Sequence, residues 1–166
     1  MRMRFRLFPV ALFVLGLPLL ASERSELRVG DWEDEIGYRQ AVRVGNLVYI
    51  SGSVGAAPMD AGIKGAYDGI AKSLKHFGLG FENVIKETVY TTDIEALKAH
   101  KEVRKAYYKG LFPAATWVQV SRLFQPDYVI EVEVVAVIPD SASSCAAPAS
   151  PRPSSPQGPT TPPSTR

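Results

Sequence analysis

The sequence predicts an α+β fold in which two helices pack on one face of a mixed β-sheet. Three observations predict it. Segments rich in β-branched and aromatic residues alternate with two stretches whose apolar residues recur at helical spacing, in the order strand, strand, helix, strand, helix, strand, strand. Glycine, asparagine and proline sit between those segments, where the chain has to turn. The last segment, VIEVEVVAV at 129–137, places Ile130, Val132, Val134 and Ala136 on one face and Glu131 and Glu133 on the other, so one side of the sheet is made for a core.

Taken in order, QAVRVGNLVYISG (40–52) predicts a hairpin closed by a two-residue Gly45-Asn46 loop. Asp60 is positioned to cap the next element, where Ile63, Ala66, Tyr67, Ile70, Leu74 and Phe77 repeat at helical spacing up to Gly78 and Gly80. Gly62, Gly65 and Gly69 weaken that helix. VIKETVYTT (84–92) predicts a strand, and Thr92 with Glu95 has the spacing of a capping box opening a helix through Tyr108 that ends at Gly110. Pro113 forbids its continuation. ATWVQVSRL (115–123) and YVIEVEVVAVI (128–138) are the last strands, joined by a turn at Gln125, Pro126 and Asp127.

The two ends differ from this middle part. In residues 1–22, Arg2, Arg4 and Arg6 precede an apolar run from Leu7 to Leu20 and the small residues Ala21 and Ser22, the order of a secretory signal peptide. The run is shorter than the roughly 20 residues a bilayer requires and holds Pro9 and Pro18, so no stable membrane span is expected after cleavage, and the product is periplasmic or secreted. Losing those three arginines takes the formal charge from +2 to −1. The remaining lysines are interspersed with acids, which argues against nucleic acid as a partner. Residues 23–34 are expected as a linker, 35–139 as the folded domain, and 140–166 as a disordered tail rich in Pro, Ser and Thr. Cys145, the only cysteine, falls in that tail, so no internal disulfide is available.

Glu131 and Glu133 admit two readings: a solvated acidic face of a half-exposed strand, or a carboxylate held in a cleft for proton chemistry. The second sheet face also carries Val129, Val135 and Val137, and Ala115, Trp117 and Gln119 are expected beside them. A face so apolar predicts self-association. His76 and His100 have no acid or thiol at ligand spacing and are expected at the surface or at helix ends, so no metal is predicted. Phosphate loops, Ser-His-Asp sets and CxxC pairs are absent from the sequence, and no cofactor is predicted.

ENVIKETVYTTDIEAL (82–97), VGNLVYISG (44–52) and FPAATWVQVSRL (112–123) followed by VIEVEVVAV together resemble the RidA/YjgF family, also called endoribonuclease L-PSP. The resemblance covers about residues 35–139 and implies a chorismate-mutase-like homotrimer with small-molecule clefts between subunits. It also implies hydrolysis of 2-imino and enamino acids to 2-keto acids and ammonia. By resemblance Glu131 is the water-orienting catalytic residue, and Tyr38 of EIGYRQ and Ser51 of YISG contact substrate. Trp117 stands where many members carry a cysteine and is expected in the cleft wall.

One departure bears on chemistry. The family's carboxylate-binding arginine follows Pro-Ala, and this chain has Ala115 there. Arg122 lies seven residues further on, which along an unbroken strand is the opposite face. Two readings follow: an imine or enamine hydrolase, or an exported trimer that binds a small ligand, such as an imine or keto acid, without turning it over. An RNA-cleaving role would need a basic groove, which the charge distribution does not supply.

Overall fold

The computed structural model describes residues 23–139; the signal-like segment and the 140–166 tail, with Cys145, lie outside the described residues. One six-stranded sheet organises the chain, in the order β1-β2-β3-β6-β4-β5. Its strands are β1 (Arg24–Leu27), β2 (Ala41–Val44), β3 (Leu47–Ala56), β4 (Val84–Thr91), β5 (Ala114–Gln119) and β6 (Tyr128–Val137). Every neighbouring pair is antiparallel except β4 with β5. The described helices are α1 (Trp32–Ile36), α2 (Met59–His76), α3 (Ile94–Ala99) and α4 (Lys101–Tyr108). The α+β class and the mixed sheet therefore hold.

The expected hairpin forms between β2 and β3. Val44 pairs Leu47 across Gly45, whose φ of 63° is the left-handed value a two-residue return requires. The expected helical face of α2 is also the buried one. Ile63, Ala66, Tyr67, Ile70 and Leu74 are fully buried against Val48, Val89, Ile130, Val132 and Ala136 from three central strands. Each such aliphatic side chain contributes about 1.5–3 kcal/mol by leaving water. One glycine pair explains why α2 tolerates poor helix formers: a Cβ on Gly55 would lie 1.9 Å from the Gly62 carbonyl oxygen, so helix and strand touch backbone to backbone.

Several expectations change. Residues 23–34, expected as linker, supply β1 and the start of α1, because β2 offers β1 a free edge to pair with. The second expected helix is divided at His100 into α3 and α4, and its cap is Asp93, whose carboxylate accepts the Ala96 N–H at 2.9 Å. Thr92 is occupied otherwise, its N–H reaching the Val129 carbonyl. Asp60 lies inside the first turn of α2, where its charge still favours the helix N-terminus.

The largest correction concerns β5. It ends at Gln119, and its parallel register sets Ala115, Trp117 and Gln119 beside Glu87, Val89 and Thr91, all buried beneath the helices. Those three β5 residues therefore face the helices and not the second sheet face. Trp117 packs against the core, with the Arg104 guanidinium 5.4 Å above its ring. Alternation along β5 separates two faces but does not say which is covered; pairing with β4 decides that.

Candidate functional site

The second sheet face carries Glu131 and Glu133 of β6, Tyr90 and Thr88 of β4, and Tyr49 and Val54 of β3. Among the described residues no helix covers it, and Tyr49 is 47% exposed. The regular ladder between β3 and β6 breaks between Ile50 and Ser53. A bulge of this kind puts an extra residue into one strand and re-aims its neighbours. Here it frees Ser51 and Gly52 from the ladder, and the space above Gly52 is filled by Glu131. A Cβ on Gly52 would fall 1.8 Å from Glu131 Oε1, 2.7 Å from its Cδ and 2.8 Å from its Cγ.

Tyr38 arrives from the other side. Gly37, with φ 70°, ends α1 in the left-handed conformation, and the Tyr38 N–H returns to the Glu33 carbonyl at 2.8 Å. Its ring stacks on Trp32 with centroids 5.4 Å apart. The next residue, Arg39, is held by Glu26 and Asp34, each at 2.7 Å. The segment then runs along the bulge: the Ser51 N–H donates to the Gln40 carbonyl and the Ser51 hydroxyl to the Arg39 carbonyl at 2.7 Å. Tyr38 donates its own hydroxyl to Gln40 Oε1 at 3.3 Å. Three of the four expected site residues, Tyr38, Ser51 and Glu131, thus gather around one irregularity in β3; Trp117 does not.

The electrostatics fit proton chemistry. Burial, and then the charge of Glu133, hold the Glu131 carboxyl above the usual carboxylate range. Burial also raises the Tyr38 phenol; the Ser51 hydroxyl opposes this, while Glu33 and Glu131 add to it. Tyr38 is therefore a neutral donor at physiological pH. Glu133 is engaged otherwise, accepting a long 3.4 Å bond from the Tyr90 hydroxyl. Among the described residues no group of three His, Cys, Asp or Glu could hold a metal ion.

Three recesses surround these groups. Tyr38 and Ser51 line one of about 580 Å³ together with Arg39 and Gly37. Ser51, Thr88, Lys86 and Glu133 line a smaller one of about 220 Å³. Glu131 lines a third of about 470 Å³ with Tyr90, Val120, Arg122, Leu123 and Phe124. Arg122 and Tyr90 are the residues that sequence reasoning missed. Tyr90 was legible as the cross-strand partner of Glu131 once β4 and β6 are paired. Arg122 was assigned to the wrong face because Ala115, from which it was counted, was placed on the Glu131 face, whereas the β4 register turns Ala115 toward the helices.

The sequence profile described as Endoribonuclease L-PSP matches residues 33–138. The chain belongs to this family. Among curated relatives of the L-PSP domain, human 2-iminobutanoate/2-iminopropanoate deaminase is 37% identical over 109 residues, covering 60% of this chain and 79% of the relative. A RutC family protein of Pyrococcus abyssi is 32% identical, over 60% of this chain and 84% of its own length. Among solved structures, a YjgF-family member from Mycobacterium tuberculosis superposes with a TM-score of 0.66 at 28% identity, covering 70% of this chain and all of its own. The Escherichia coli YjgF product gives 0.56 at 27% identity, covering 60% of this chain and 87% of its own. The L-PSP fold thus accounts for the sheet and helices described above.

Proposed function

We propose that this L-PSP domain hydrolyses 2-imino acids and related enamines to 2-keto acids and ammonia, in clefts formed where three copies bring their uncovered sheet faces together. The observation that carries the reading is the Glu131 carboxyl, half-buried over Gly52 and held above its usual range beside a neutral phenol. Such a carboxylate binds a water and takes its proton as the water oxygen bonds to the C=N carbon. The nitrogen gains a proton, giving a carbinolamine; a further proton transfer to nitrogen expels ammonia and leaves the carbonyl. Water is consumed and no redox partner is needed. Tyr38 and Ser51 supply hydroxyls that orient the substrate.

Relatives 31–37% identical, several of them named as iminobutanoate and iminopropanoate deaminases, support the reaction class. The exposed Tyr49 and Val118 support assembly through the bare face. The basic and apolar order of residues 1–22 supports export. The test generates imines in place with an amino-acid oxidase and follows ammonia with and without the protein. Acceleration over buffer that disappears in Glu131→Gln is the expected result, and none with any of several imines would reject hydrolysis. Sedimentation that finds single chains at micromolar concentration would reject the assembly.

A second reading, an exported trimer that binds a small ligand without turning it over, is favoured by the alanine at 115, which leaves no cation at the position where the family holds its substrate carboxylate. A thermal midpoint raised by a 2-keto acid, with no ammonia from any imine, distinguishes it.

A further inference from the structure

The loop after β5 brings a cation to the recess that Glu131 lines. The chain leaves β5 at Gln119, and the Val120 N–H closes on the Thr91 carbonyl at 2.8 Å, which pins the loop to the end of β4. Leu123 is buried, and the Asp127 carbonyl accepts the Ala57 N–H at 3.1 Å, so the loop is fixed at its start, middle and end. Arg122 projects from this anchored segment into the recess of about 470 Å³ that Glu131 also lines.

The guanidinium has no acidic partner there. Arg24, Arg28, Arg39 and Arg104 are each ion-paired at 2.9 Å or less. Among the described residues Arg122 makes no ion pair, and its one side-chain hydrogen bond is a long 3.4 Å contact to the Phe124 carbonyl. That carbonyl leaves most of the five N–H donors of the fork uncommitted. Across the recess stand the Tyr90 phenol and Glu131, and one wall is the Phe124 ring, 76% exposed. An exposed phenyl beside an unpaired guanidinium fits a small organic acid with a short apolar substituent.

We propose that Arg122 is the carboxylate-binding residue of the Glu131 recess, so that a 2-imino or 2-oxo acid binds with its carboxylate on the Arg122 fork, its apolar substituent on Phe124 and its reacting carbon toward Glu131. The assignment rests on the reading of Glu131 as the acid–base group, and it replaces from a loop the charge that position 115 lacks. It also sets a substrate preference: acids over the corresponding amides, and short apolar substituents over charged ones.

The test compares binding of 2-oxobutanoate and its uncharged amide, 2-oxobutanamide, to the full-length protein, to Arg122→Gln and to Arg122→Lys by titration calorimetry. The wild type is expected to prefer the acid by about ten- to a hundredfold. Arg122→Gln should lose that preference, and Arg122→Lys, which keeps the charge without the fork, should keep part of it. Thermal midpoints within a few degrees of wild type confirm that the variants are folded, as expected for an exposed loop residue. The assignment is overturned if Arg122→Gln keeps the wild-type preference, or if the wild type binds neither ligand or binds both equally. Selective binding without ammonia release from any imine would reject the hydrolase and leave Arg122 as the anion site; ammonia release with selectivity unchanged in Arg122→Gln would do the reverse.

Discussion

Gly52→Ala is expected to remove activity while leaving the fold almost untouched. The added methyl would fall 1.8 Å from Glu131 Oε1 and under 3 Å from Cδ and Cγ, so the whole carboxylate must swing away and not merely tilt. Restoring an ordinary carbon contact of about 3.5 Å moves the oxygen by roughly 1.5 Å or more. Displacements of about 1 Å cost on the order of a hundredfold in catalysis, so kcat/KM should fall at least about a hundredfold, equivalent to about 2.7 kcal/mol of transition-state stabilisation. The stability side nearly cancels. Gly52 is not among the glycines with positive φ, so alanine gains about 0.4–1 kcal/mol from the unfolded chain. An off-rotamer glutamate returns about 0.5–1.5 kcal/mol. Ammonia release from oxidase-generated 2-iminobutanoate, read beside the thermal midpoint, tests both halves. A folded Gly52→Ala protein within threefold of wild type would show that the position of Glu131 over the bulge does not matter, and the acid–base assignment would fall with it.

Other expectations follow from the same contacts. The fold raises the Glu131 pKa, so it favours the protonated form; that stabilisation is complete below the ordinary value of about 4.3 and is lost as pH rises through the higher folded value. Glu131→Gln should therefore melt higher than wild type at pH 7–8, the gap closing below about pH 4 in thermal scans, whereas a lower melting point at neutral pH would contradict the raised pKa. On the helix side, the fully buried Glu87 carboxylate is held by Arg104 at 2.8 Å, Tyr67 at 2.9 Å and the Tyr108 hydroxyl. Arg104→Met leaves that charge unpaired and should cost about 3–5 kcal/mol in denaturant unfolding, part of it regained when Glu87 is also replaced by Gln, which removes the charge and keeps an acceptor for the Tyr67 and Tyr108 hydroxyls. Trp117→Phe should leave 2-oxobutanoate affinity within twofold, because the indole packs beneath Arg104 and not against Glu131; a tenfold loss would return it to the site.

The sequence by itself determined what local periodicity can carry: the α2 face from Ile63 to Leu74, the Gly45 return between β2 and β3, and the division of β6 into a core face and a glutamate face. It also marked Glu131, Tyr38 and Ser51, because those residues sit in segments whose order and spacing match a family. Only the tertiary structure decided which way β5 faces, since a parallel register with β4 is set by contacts some thirty residues apart in the chain and not by alternation within β5. The same holds for β1, which becomes a strand because β2 has an open edge. It holds for Gly52, whose missing side chain matters only because Glu131 folds over it from another strand. Arg122 is the sharpest case. Counting seven residues on from Ala115 puts it on the face opposite Ala115, which is the far side from Glu131 only if Ala115 shares the Glu131 face. The β4 register turns Ala115 toward the helices, and the same count then brings Arg122 to the side of Glu131, where the two line one recess.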